Sequence, residues 1–241
     1  MMKRRWIPLA SAVLMLLILS APALAQGVAR VTFQEGSTFV GDSEKGPWRP
    51  LADGERLGPG QFVNTAPDGI VELTLPDRSV IRLASETVYG IETALFTKNN
   101  KRRKWSAKLI LGRMWSKINR SVGGLRANYD THTPTAVVGV RGTVFNVAAS
   151  ADTSTEVSVF EGRVGVEPPL VEPGAPRTEM AWPTEVSEKK WEEVIVSKLQ
   201  RLRIAADGTP GKPQAFDPAA EKDPWVDWNR DRDAKLAAAP Q

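Results

Sequence analysis

The single histidine of this 241-residue chain, His132, lies two residues after Asp130 in Tyr129-Asp130-Thr131-His132-Thr133-Pro134. In a strand that spacing puts both side chains on one face. Any imidazole-based acid–base chemistry has to pass through this pair. No Gly-x-Ser-x-Gly nucleophile accompanies it, and the residues read as a hydrogen-bonded structural histidine. Cysteine is absent. That excludes thiol nucleophiles, disulfides and zinc sites of the Cys or His cluster kind. Asp227-Trp228-Asn229-Arg230-Asp231-Arg232-Asp233 mimics the start of a calcium loop. Arg232 stands where the sharp turn needs glycine, and Ala238 where a bidentate Glu is needed, so the segment reads as helix. Two carboxylates from distant strands could still serve glycoside hydrolysis, but no pair singles itself out. The reading is a non-enzyme with no cofactor and no metal.

A second chemistry is offered by charge. From Lys98 to Arg126 there are ten basic residues and no acidic one. Lys101, Arg102, Arg103, Lys104 and Trp105, followed by Arg113, Trp115 and Lys117, could bind an anionic polymer, with phosphates on the cations and sugars stacked on the indoles. Lipopolysaccharide and acidic glycans are the ligands that chemistry suits. The competing reading is a solvated loop flanking two strands whose Trp105, Leu109, Leu111 and Trp115 face the core.

The N-terminus decides which ligands the chain meets. Met1 to Arg5 is a basic head, Trp6 to Leu19 an apolar run, and Ala21-Pro22-Ala23-Leu24-Ala25 a small-residue cleavage site. This is the pattern of a secretory signal peptide, cleaved after Ala25, and the run is shorter than the roughly 20 residues of a membrane span. A periplasmic or secreted protein is expected, with no transmembrane segment after cleavage. The whole chain has 32 basic and 28 acidic residues, net +4. Three basic residues leave with the leader, so the mature chain is near neutral and a nucleic-acid partner is not expected.

The elements that must carry these residues are short strands. Gly27 to Gln34, Val71 to Leu75, Val80 to Leu83, Phe145 to Val147, Val157 to Val159 and Arg163 to Glu167 carry alternating apolar residues bounded by Gly, Pro, Asp or Ser turns. Gly41 to Gly60 reads as a loop or a pair of tight turns. The expected core is Val71, Leu73, Leu75, Ile81, Leu83, Phe145, Val147, Val157 and Val159. Nine of the 18 prolines fall between Pro168 and Pro224. Val194 to Val196 and Leu199 to Ile204 are further strands there, and Asp223-Pro224 is a helix start with Asp as N-cap and Pro at the first helical position. Trp225, Trp228, Arg232 and Leu236 then share a face. Trp225 and Trp228 make this a docking helix, on its own domain or on a partner. The organisation reads as a leader (1–25), an all-β domain (26–167), a Pro-rich extension with one or two strands (168–222), and a short helix and tail (223–241).

Residues 135–167, TAVVGVRGTVFNVAASADTSTEVSVFEGRVGVE, resemble the C-terminal half of the FecR domain. Gly142, Thr143, Phe145 and Val147 match its Gly-Thr-x-Phe-x-Val stretch. Thr155, Val157 and Val159 match its next strand, and Glu161, Gly162, Val164 and Val166 its Glu-Gly-x-Val-x-Val hairpin. LTLPDRSVIRL at 73–83 resembles an upstream hairpin, with Arg78 where glycine is usual, which predicts a strained or remodelled turn. LILGRMWSKI at 109–118 resembles a strand pair turning at Gly112. The motif reads as structural. Arg141, beside it, suits an internal salt bridge or a ligand contact.

The resemblance implies a single sandwich or roll of short, mostly antiparallel strands. FecR proteins typically transmit signals from an envelope domain to a cytoplasmic anti-sigma segment. Only Met1 to Arg5 precede the apolar run, so the sigma-factor role is not carried over. What the resemblance leaves is a non-catalytic module for protein interaction or signalling in the cell envelope, with an envelope protein as partner and strand addition at a sheet edge as one mode. The alternatives are a binder of anionic glycan or lipid phosphate through residues 98–126, and a cell-wall glycan hydrolase.

Overall fold

The computed structural model describes residues 28–97, 103–119, 127–140, 142–169 and 192–238. The leader and residues 98–102, 120–126, 141, 170–191 and 239–241 lie outside the described residues, so the signal peptide, Lys101, Arg102 and Arg141 are not placed.

The described residues are all-β apart from one helix. The strands in order are β1 (Ala29–Glu35), β2 (Thr38–Gly41), β3 (Arg49–Pro50), β4 (Arg56–Leu57), β5 (Phe62–Thr65), β6 (Ile70–Thr74), β7 (Val80–Leu83), β8 (Val88–Phe96) and β9 (Arg103–Lys117). There follow β10 (Ala127–His132), β11 (Val137–Val140), β12 (Val144–Ala149), β13 (Thr155–Glu161), β14 (Arg163–Glu167), β15 (Val194–Ser197), β16 (Gln200–Ile204), β17 (Gln214–Ala215) and the helix α1 (Pro224–Ala238). The Gly41–Gly60 stretch contains the two-residue strands β3 and β4 between its turns.

Hydrogen bonding sorts the strands into two sheets that share β9. One runs β4-β1-β6-β7-β9-β12-β13-β16-β17. The other runs β3-β2-β5-β8-β9-β10-β11-β14-β15. Among the described residues every strand pairing is antiparallel except β9 with β10. Between the sheets lies one contiguous apolar core. It includes all nine residues expected from alternation, together with Val63, Tyr89, Trp105, Leu109, Val138, Val164, Val196 and Leu202. The strands β15 and β16, which follow the Pro-rich composition change, extend the second and first sheets respectively.

Two glycines shape the crossing points, and both correct the sequence reading. Gly112 is not a turn between two strands. It is a kink inside the 15-residue β9, at φ +97°, where the strand leaves the second sheet and enters the first. A Cβ there would stand 2.3 Å from Thr87 Oγ1. The kink also changes which parity faces inward: Trp105 and Leu109 enter the main core, whereas past Gly112 it is Met114 that does so. Trp115 therefore faces outward from the first sheet into a second apolar cluster with Ala84, Phe160, Trp225 and Val226.

Glu161-Gly162 does not close a hairpin. β13 belongs to the first sheet and β14 to the second, and they bond to other strands. Gly162, at φ +83°, turns the corner between them, and a Cβ would stand 2.6 Å from Thr143 Cγ2.

Candidate functional site

The outer face of the first sheet carries a row of directly paired residues, Glu72–Arg82–Trp115–Asn146–Ser158–Arg201, one from each of six strands. Each adjoins a core residue on its own strand (Leu73, Ile81, Met114, Val147, Val157 and Leu202 in turn), so alternation in the folded sheet points all six away from the core. α1 lies across the row. Asp223 caps the helix, accepting from the Trp225 N–H at 3.0 Å, and Arg113 holds the same carboxylate at 2.6 and 3.3 Å. Trp225 Nε1 donates to Asn146 Oδ1 at 3.1 Å, and Trp115 Nε1 to Asp233 Oδ2 at 3.1 Å.

Arg82 is the centre of this contact and is fully buried at 0% exposure. Its Nε donates to Glu72 Oε2 at 2.8 Å and its Nη1 to Asn229 Oδ1 at 3.2 Å. Its Nη2 stands 2.8 Å from Asp233 Oδ1, an ion pair without hydrogen-bond alignment. Arg232 reaches the same Glu72 at 2.6 Å, and Thr32 Oγ1 donates to its other oxygen at 2.9 Å. Burial pushes the Glu72 carboxyl up, but the Arg232 and Arg82 guanidiniums outweigh it and hold the group below the usual carboxylate range. Around this polar centre Trp225 and Trp228 stack at 5.5 Å, Trp228 meets Phe33, and the Arg232 guanidinium lies 4.1 Å over the Phe33 ring. The buried side of α1 is Trp225, Val226, Asn229 and Asp233, whereas Leu236 is exposed. The face drawn through Trp225, Trp228, Arg232 and Leu236 is thus rotated from the real one, because polar Asn229 and Asp233 have buried partners waiting on the sheet.

A second cluster fixes the turn between β6 and β7. Buried Asp77 accepts from the Ser79 N–H at 3.0 Å, Ser79 Oγ at 2.9 Å and Arg103 Nη1 at 2.6 Å, and from the Tyr129 hydroxyl in a short contact. Burial, with Asp77 alongside, pushes the Tyr129 phenol up. Arg78 beside it adopts φ +65°, the strained conformation expected where glycine is replaced.

The expected cationic–aromatic surface is not assembled among the described residues. Trp105 is 2% exposed and donates to Tyr89, and Trp115 is 1% exposed beneath α1. Neither ring can stack on a sugar. Arg103 is buried against Asp77 and Arg113 is paired with Asp223. Lys104 is exposed and Lys117 half-buried. His132 and Asp130 both face outward from the second sheet, but the histidine's partner is Glu92, with Nδ1 3.1 Å from the carboxylate that Lys108 and Ser106 also hold. Burial pushes the Asp130 carboxyl up. Asp227 to Asp233 lies within α1. Among the described residues no group of three His, Asp or Glu is placed to hold a metal.

Within the motif stretch, Phe145 and Val147 are core residues. Thr143 is buried and its carbonyl accepts from the Ile118 N–H at 2.9 Å, Gly142 takes φ +64°, and Glu161 is exposed.

Residues 61–165 match the family described as FecR protein. Two crystal structures of a "putative anti-sigma factor" from Parabacteroides distasonis ATCC 8503 align at 21% identity with a TM-score of 0.45. Each alignment covers 65% of this chain and 60% of the other, so the chain spans about three fifths of their length. No curated protein matches. Residues 61–165 of the chain are therefore similar to the FecR family.

Proposed function

We propose that this chain is a non-catalytic FecR module of the cell envelope that acts by binding a protein in a signalling or regulatory assembly. The observation that carries the reading is the FecR similarity itself, which points to a regulatory family. The chemistry of the buried charges supports it. Glu72, Arg82 and Asp233 neutralise one another beneath α1, and Asp77 and Arg103 do so at the β6–β7 turn. Groups committed to internal pairs hold the fold and are not poised for proton transfer. The leader pattern of residues 1–25 supports export and a periplasmic or secreted location.

The test is photo-crosslinking in intact cells from probes on exposed residues of the FecR domain, with mass spectrometry of the products. The expected result is one envelope protein captured reproducibly from several adjacent positions. Capture of polysaccharide alone, or turnover of cell-wall glycan by the purified protein, would overturn the reading. An intact mass still including residues 1–25 would remove the cleaved leader.

A further inference from the structure

We infer that the chain self-associates through the outer edge of β15, two copies meeting antiparallel about a twofold axis at Ile195. β15 ends the second sheet: β14 bonds to its inner side, and among the described residues no strand bonds to the other. The remaining terminal strands are blunted. β3, β4 and β17 have two residues each, β3 includes Pro50, and β17 follows Pro213. β15 has four residues, Val-Ile-Val-Ser, with no charge and no proline, and Ile195 is 49% exposed. An edge left in that state is a template for another strand.

The charge order beside the strand selects a second copy as that other strand. Exposed Glu192 and Glu193 precede β15, and exposed Lys198 follows it. With the axis at Ile195, antiparallel pairing sets Ile195 beside its own image, so that each side chain covers one flank of the other. It also sets Glu192 opposite Lys198 of the second copy, twice by symmetry. Parallel pairing would set glutamate against glutamate. Opposite charges directly across a strand pair stabilise it and like charges destabilise it. The segment is thus self-complementary in one orientation, as an isologous contact requires. An interface of one four-residue edge belongs to the small, transient class, so association shows as a mass that rises with concentration.

Sedimentation of the exported chain without any partner tests this, and its failure would leave the proposed binding of another protein standing. The wild type is expected to pass from monomer to dimer as concentration rises. Lys198→Glu should weaken association about tenfold, the equivalent of roughly 1.4 kcal/mol, and the Glu192→Lys/Lys198→Glu exchange should restore it. Ile195→Lys should hold the chain monomeric. All these positions are exposed, and circular dichroism checks that each variant is folded. A wild type that stays monomeric at every concentration overturns the inference. So does a dimer indifferent to Lys198→Glu, or a loss that the charge exchange does not reverse.

Discussion

The indole N–H of Trp115, near the C-terminal end of β9, donates to the carboxylate of Asp233, 118 residues later in the chain. The same carboxylate faces Arg82 with its other oxygen at 2.8 Å. One C-terminal side chain therefore closes the coordination of two buried groups on two neighbouring strands. α1 is short, and an isolated helix of about 15 residues is marginal in water. It persists here because the sheet offers partners to its Asn229 and Asp233 as well as an apolar bed to Trp225.

Truncating Asp233 tests this directly. Asp233→Ala leaves the buried Arg82 guanidinium with Glu72 as its one carboxylate and the Trp115 N–H without an acceptor. Breaking a buried pair in this way costs about 3–5 kcal/mol. The neighbouring exposed Asp231→Ala should stay within about 0.5 kcal/mol. Urea unfolding of both variants measures the difference, and equal midpoints would mean that α1 is not held by this contact.

Removing residues 223–241 should lower the thermal midpoint, because it uncovers Trp115 and Phe160 and strips Arg82 of Asn229 and Asp233. Trp225→Ala alone should cost about 3–5 kcal/mol as a large-to-small substitution in a packed cluster. Accessibility of Trp225 to aqueous quenchers in the intact protein would contradict the docked arrangement.

Stability should fall with acid through Glu72. Its folded-state carboxyl lies below its unfolded value, so its contribution is complete above the unfolded pKa, about 4.3, and is lost as pH drops through the folded value. Asp223, held low by Arg113 against the opposing effect of burial, acts in the same direction. Denaturant midpoints are expected to hold from pH 7 to about pH 5 and to decline below about pH 4. Glu72→Gln should flatten that decline while lowering stability at neutral pH.

Gly112→Ala should destabilise by about 1–3 kcal/mol, the cost of a strained backbone position, with the Thr87 contact added. Arg78 offers the reverse case. Arg78→Gly relieves an L-residue at φ +65° and leaves the Asp77 cluster intact, so it should be neutral or stabilising by about 1 kcal/mol, the unfolded-state entropy of glycine offsetting part of the gain. A large loss from Arg78→Gly would mean that the Arg78 side chain holds the turn.

What depends on nearest neighbours along the chain was legible in the residues alone. Alternation marked Val71, Leu73, Leu75, Phe145, Val147, Val157 and Val159 as inward, and the nine core positions drawn from it lie in one cluster. Asp223-Pro224 marked the helix start, which Asp223 caps. The Gly-Thr-x-Phe-x-Val stretch at 142–147 marked the family. Tertiary structure decided everything that depends on which sheet a strand joins. A two-residue period shows that a side chain points to one face or the other, but not what covers that face. Trp105 and Trp115 have the same parity, yet the Gly112 kink sends one into the core between the sheets and the other outward beneath α1. Glu72 and Arg82 look like solvated positions because their cover, Asn229, Arg232 and Asp233, comes from the far end of the chain. The local pattern records the strand. The burial of a charge is set by partners some 150 residues away, and no local pattern carries that distance.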